Sequence, residues 1–222
     1  MKSRLFAIAN EMQFNNPYTK PLKYYERYDT FLNNHNLFPK TILEIGTYEG
    51  HSTKIISKAF EKSTILTLDF DIKNIDFEDY KNIIYKKADQ TKKDQLIPLI
   101  KEYFPKGIDL VIDDASHIGY YSKLTFDIVV PFLKPGGAYF IEDWGTGYWD
   151  SWVDGGNFAL KKCNDNFMKN LPSHDFGMVG FVKSLIDLLG EDKTGKKIFF
   201  DEKIKHIELW TGACMLIKSK ND

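Results

Sequence analysis

From position 41 onward, hydrophobic and polar positions alternate between two rhythms. "TILEIG" (41–46), "TILTLD" (64–69), "DLVID" (109–113) and "AYFIED" (138–143) are short apolar runs closing on a glycine or a carboxylate, as buried parallel strands do. "HSTKIISKAF" instead puts Ile55, Ile56, Ala59 and Phe60 on one helical stripe, with Ser52 near its start. A helix-like stretch is expected after 69, reaching Ile83 or Ile84, then a short strand to Ala88. "DQLIPLIKEYF" (94–104) has helical spacing, although Pro98 demands a late start or a kink. Leu124, Ile128 and Phe132 mark a further helix, and "KPGG" (134–137) a turn. Residues 157–171 and 177–189 read as helical, and "IKHIELWTGACMLIKS" as a terminal strand pair.

Strands separated by helical segments imply βαβ units, right-handed crossovers and a parallel sheet, an α/β fold. Residues 1–38 are aromatic and irregular, with a turn and a short helix in "NPYTKPLKYYERYDTFL"; they are expected to form an N-terminal segment ahead of one domain over 39–222. The chain has 222 residues, 43% hydrophobic, enough for that core. Its net charge of -1 gives no electrostatic case for nucleic acid or a membrane surface. Cys163 and Cys214 lack a CxxC partner and lie in apolar patterning, so free buried thiols in a reducing compartment are expected. The opening "MKSRLFAIANEM" has too short an apolar run for a signal segment, and no stretch reaches membrane-spanning length. A cytoplasmic protein is the expectation.

Open α/β sheets bind ligands at the carboxyl ends of their strands, beside the topological switch point. Gly46, Asp69, Asp89, Asp114 and Asp143 all fall there. "LEIGTYEGHST" (43–53) spaces its glycines as G-x-x-x-G, not as the dinucleotide G-x-G-x-x-G, and Glu44 precedes them, which suits a cationic ligand better than a pyrophosphate. A tight strand-to-helix turn would use glycine in any case. Asp69 can accept both hydroxyls of a ribose, and Asp89 with Gln90 closes the third strand; each serves equally as a cap or turn residue. "DDASH" and "FIEDW" bring Asp114 and the Glu142–Asp143 pair to the ends of successive strands. Three carboxylates in one half-buried cleft repel unless protons or a cation compensate, and an all-oxygen set suits a hard ion such as Mg²⁺. His117, three residues after Asp114 at a helix start, is expected to stay neutral beside the positive dipole end and to serve as general base. The bland alternative is surface carboxylates with a capping histidine. "WGTGYWDSWVDGG" (144–156) offers aromatic rings either as a wall for a sugar face or as a loop's own small core. His35, His51, His174 and His206 have no metal-ligand spacing and read as structural or exposed.

On the glycine loop, "DDASH" and "IEDW", the chain resembles the class I S-adenosylmethionine (SAM)-dependent methyltransferases. More narrowly, it resembles the metal-dependent macrolide-sugar O-methyltransferases and the related cephalosporin-hydroxylase-like proteins, from about position 41 to 218. The resemblance implies a Rossmann-like, doubly wound, mostly parallel seven-stranded sheet with an antiparallel terminal strand. It implies Mg²⁺ held by Asp114, Glu142 and Asp143, and His117 as the base. It implies SAM contacts from the loop carrying Glu44, Gly46, Thr47, Gly50 and Ser52, from Asp69 at the ribose, and from Asp89 and Gln90 near the adenine. Ala115 stands where the family motif has glycine. The implied partner is a small acceptor, a sugar or glycosylated metabolite, and a homo-oligomer is compatible. The alternatives are another reaction at the same metal site, a nicotinamide-dependent oxidoreductase, or a binding protein that keeps the fold without turnover.

Overall fold

The structure, a computed structural model, describes residues 3–12, 19–156, 175–190 and 204–219. The four apolar runs become β1 (Thr41–Ile45), β2 (Thr64–Asp69), β4 (Ile108–Asp113) and β5 (Leu133–Glu142), and β3 (Ile83–Lys87) completes the parallel set. The tail supplies β6 (Ile204–Leu209) and β7 (Ala213–Lys218). Strand order in the seven-stranded sheet is β3-β2-β1-β4-β5-β7-β6, with β7 antiparallel to both neighbours. The Rossmann-like expectation therefore holds. Order reverses between β1 and β4, which opens a crevice at their carboxyl ends.

Six α-helices are described: α1 (Leu5–Met12), α2 (Leu22–Asn34), α3 (His51–Ala59), α4 (Lys93–Tyr103), α5 (Gly119–Val129) and α6 (Gly177–Ser184). Side chains alternate across each strand, so the sheet feeds two cores. Leu43, Leu66, Val111 and Tyr139 meet Leu96, Phe126 and Phe181 of α4, α5 and α6 on one face. Ile42, Ile65, Leu110 and Phe140 meet Leu5, Tyr28, Phe31 and Ile55 of α1, α2 and α3 on the other. Asp29 of α2 accepts the free N–H groups of Leu5 and Phe6, each at 2.9 Å, and so ties α1 to α2.

The helix expected between β2 and β3 does not form; the connection is irregular. Its apolar residues do not hold a helical period, and Asp69 and Asp76 each accept the N–H two residues on, at 2.9 Å, in turns that compete with a helix. α4 starts at Lys93 and runs through Pro98, so the late start does not occur. The expected 177–189 helix divides into α6 and a 3₁₀ turn over Leu185–Leu189. The 157–171 segment, Cys163 and His174 lie outside the described residues. Cys214 is a buried free thiol, pushed up to about 12 by burial. No helix among the described residues is long and apolar enough to cross a membrane.

Candidate active site

The site begins where β1 ends. Gly46 holds a φ of +98°, and a Cβ there would lie 2.1 Å from the carbonyl oxygen of Asp114. Only glycine lets the ends of β1 and β4 close on each other. Asp69 clamps the following loop, its Oδ2 accepting the N–H groups of Thr47 and Tyr48 at 2.9 and 2.8 Å. Glu44 is buried below, its Oε2 accepting hydroxyls from Thr53 and Thr67. A cleft of about 810 Å³ crosses the strand ends, a volume typical of small-molecule sites. Gly46, Asp69, Asp89, Gln90 and Asp114 are on its wall, between apolar patches that include Ile45, Leu68 and Leu124. Glu44, Thr47, Gly50 and Ser52 do not line it. Gly50 is instead the left-handed N-cap of α3, and Ser52 sits in that helix's first turn. Asp89 accepts the Thr91 N–H and hydroxyl at 2.9 and 2.7 Å, which holds its carboxyl below the usual range. Gln90 donates to Thr125 at 2.9 Å.

β4 and β5 pair in parallel with Asp113 opposite Ile141, so the residues after each emerge side by side. His117 Nε2 lies 2.9 Å from Asp114 Oδ1 and 3.8 Å from Asp143 Oδ2. One ligand atom each from Asp114, His117 and Asp143 falls within 4.8 Å of the others. His117 and Asp143 both occupy the left-handed region, at φ 50° and 52°. Such strain in non-glycine residues persists only where the surroundings impose it. Here Trp152 Nε1 and the Thr146 hydroxyl donate to the His117 carbonyl at 2.9 and 3.3 Å.

The positive charge that three packed acids require is present. Lys20 Nζ lies 3.1 Å from Asp114 Oδ2 and is bonded to Glu142 Oε1, with only 7% of its side chain exposed. Tyr24 donates its hydroxyl to Asp143 Oδ1. Both residues come from the segment that opens α2, and sequence reasoning missed both. The acid cluster called for a cation, but nothing local marks Lys20 among 30 lysines and arginines.

Burial disfavours the Lys20 ammonium, yet the charges of Asp114 and Glu142 outweigh that and keep it protonated. Asp114 is likewise held ionised against burial by Lys20 and His117. Burial first, then the Asp114 charge, pushes Glu142 up. His117 departs from expectation. Burial lowers it, but the hydrogen bond to Asp114 and the charges of Asp114, Asp143 and Glu142 lift it to about 9. The carboxylates thus overcome burial, and imidazolium is the form this arrangement favours at neutral pH. Asp113, the first acid of "DDASH", is a core residue pushed up to about 7 by burial.

The aromatic loop divides between its two readings. Trp144 donates to the Trp210 carbonyl at 2.8 Å and Trp152 to that of His117, so both anchor the loop inward. Tyr148 and Trp149 are 47% and 54% exposed beside them. An oxygen-rich cluster with one imidazole and no sulfur fits a hard divalent ion, and the recruited ammonium registers the same demand for positive charge.

No family model matches the chain. Among curated proteins, mycinamicin VI 2''-O-methyltransferase of Micromonospora griseorubida is 28% identical over 194 residues, covering 82% of this chain and 44% of that protein. Demethylmacrocin O-methyltransferase of Streptomyces fradiae is 32% identical over 155 residues, covering 67% of this chain and 35% of that one. The chain therefore spans less than half the length of these two relatives. Among solved structures, the MycE methyltransferase of the mycinamycin pathway, in complex with Mg and SAH, superposes with a TM-score of 0.75 at 24% identity. That match covers 100% of this chain and 56% of the other.

Proposed function

From the premise that this chain belongs to the class I SAM-dependent methyltransferases, as a homologue of the macrolide-sugar O-methyltransferases, we propose that it methylates a hydroxyl of a sugar or similar polyol. SAM is the methyl donor in this reading and Mg²⁺ the resident cation. One juxtaposition carries it. Asp114 stands on the wall of the strand-end cleft and also lies beside Asp143 and His117, which puts acids that could hold a cation next to an imidazole that could accept a proton.

When bound, SAM supplies a methyl group on a positive sulfonium, and the divalent ion supplies Lewis acidity toward an acceptor hydroxyl. Asp69, Asp89 and Asp114 give the cleft a negative wall that favours a cationic ligand over a pyrophosphate. Asp114 and Asp143 would hold the ion, and Glu142, which is bonded to Lys20, would be the third acid available to it. Tyr24 fixes the rotamer of Asp143 through their hydrogen bond. His117 takes the acceptor proton at Nε2. The role requires the neutral imidazole, and a cation beside Asp114 and Asp143 would offset the field that lifts it. Trp149 and Tyr148 are exposed aromatic rings beside the cluster, of the kind that packs on the apolar face of a sugar. A glycosylated acceptor is also in keeping with the relatives, which are named for mycinamicin VI, demethylmacrocin and a rhamnosyl tetracenomycin.

Calorimetric titration of SAM, with Mg²⁺ and then with EDTA, followed by mass detection of methylated product across a panel of glycosides, tests the proposal. Saturable SAM binding and EDTA-sensitive product are expected. Absence of SAM binding under both conditions overturns it.

A further inference from the structure

We propose that His35, His206 and Glu208 form a second metal site, remote in sequence from the strand-end cluster, that takes a borderline transition-metal ion with Zn²⁺ as its reference occupant. His35 is the C-cap of α2, and His206 and Glu208 lie on β6, the edge strand of the sheet. Alternation along β6 turns Ile207 to the core shared with α4, α5 and α6, and the two flanking residues to the face that α2 covers. There the imidazoles of His35 and His206 face each other with ring centroids 4.6 Å apart, beside Phe31. One ligand atom from each of the three residues falls within 4.8 Å of the others.

A further observation points to an ion rather than to ring packing alone. His206 Nε2 is buried and has no hydrogen-bond partner among the described residues, an arrangement that is unfavourable unless something binds there. Two imidazoles and one carboxylate suit Zn²⁺, whose bonds of about 2.0–2.2 Å put tetrahedral ligand pairs about 3.3 Å apart. Closing the trio onto an ion takes a contraction of about 1.5 Å at most, within reach of rotamer adjustment by half-buried side chains. Such an ion would pin the C-terminal end of α2 to the sheet edge. The opposite end of the same helix carries Tyr24 to Asp143.

The test uses the whole chain, freed of metal by chelation and dialysis. Zn²⁺ is titrated calorimetrically, and Co²⁺ is added as a visible-absorbance probe. Wild type and Asp114→Asn are expected to bind one equivalent in common, with tetrahedral Co²⁺ bands and a raised thermal midpoint. His35→Ala and His206→Ala should each weaken that equivalent at least about tenfold and lose the bands. Glu208→Gln keeps the side-chain shape, and circular dichroism of all variants separates ligand loss from misfolding. Zn²⁺ binding removed by Asp114→Asn but unchanged in His35→Ala, or no saturable binding at all, overturns the proposal. Neither result bears on the methyl-transfer reading, because SAM binding in Mg²⁺ is measured separately.

Discussion

Lys20→Met removes the ammonium that bridges Asp114 and Glu142 in the acid cluster. The side chain keeps its length and loses its charge, so Asp114 and Glu142 face each other with no ammonium between them. At 3.1 Å and an effective dielectric of about 20, the Lys20–Asp114 attraction is about 5 kcal/mol. Removing one member of a buried pair typically costs about 3–5 kcal/mol, because the survivor's charge stays desolvated. The two magnitudes agree. Protonation of Glu142, already pushed up, relieves part of the loss, so about 3 kcal/mol is expected in EDTA at pH 7. If the ammonium stands in for a divalent ion, saturating Mg²⁺ restores most of that loss in the variant and adds less to wild type. Urea unfolding of both proteins, in EDTA and in Mg²⁺, is the assay. A loss under about 1 kcal/mol, or equal Mg²⁺ gains in the two proteins, refutes the reasoning.

His117→Ala should keep SAM binding and reduce single-turnover methyl transfer by about 10²–10⁴-fold; unchanged turnover removes His117 from the role of base. His117 is lifted to about 9 in the folded protein, so its contribution to stability is complete below its unfolded pKa of about 6.5 and disappears as pH rises through 9. In EDTA, unfolding free energy should therefore fall by on the order of 3 kcal/mol between pH 6 and 10, and His117→Gln should flatten that slope. Asp109 accepts the N–H groups of Lys40 and Thr41 at 2.8 and 3.0 Å, and Lys134 Nζ at 2.8 Å, which together hold its carboxyl low despite burial. Asp109→Asn should cost about 1–3 kcal/mol at pH 7, with the gap to wild type closing as pH falls below about 4. Gly46→Ala, with its Cβ 2.1 Å from the Asp114 oxygen and φ at +98°, should cost more than about 2 kcal/mol in thermal unfolding.

What the sequence made legible was local. Each strand closing on a carboxylate could be read from a run of about six residues, and the sheet followed, because parallel strands need crossovers and carry their ligands at one edge. The missing helix after β2 was a local failure too. Phe70, Ile72, Ile75 and Phe77 do not repeat at helical spacing, and aspartates bonding their own backbone two residues on close turns instead. Glu44, Thr47, Gly50 and Ser52 lie behind the cleft wall, where Glu44 is buried under the loop and Gly50 caps α3.

The charges that fix protonation states were only partly local, and they bear on one expectation. A helix start argues for neutral His117, but that argument counts only the dipole of α5. Asp114, Asp143 and Glu142 act on the same ring from the ends of β4 and β5, and they outweigh its burial. Lys20 then offsets Asp114 and Glu142 from a third direction, the segment before α2. Imidazolium, ammonium and acids form one coupled set, so whatever cation occupies the cluster decides whether His117 can accept a proton. That places control of the proposed base in the N-terminal segment as much as in "DDASH". It is also why Lys20→Met and His117→Gln should be measured in the same buffers, with and without Mg²⁺: a coupled set predicts non-additive effects in EDTA that shrink once the ion is present.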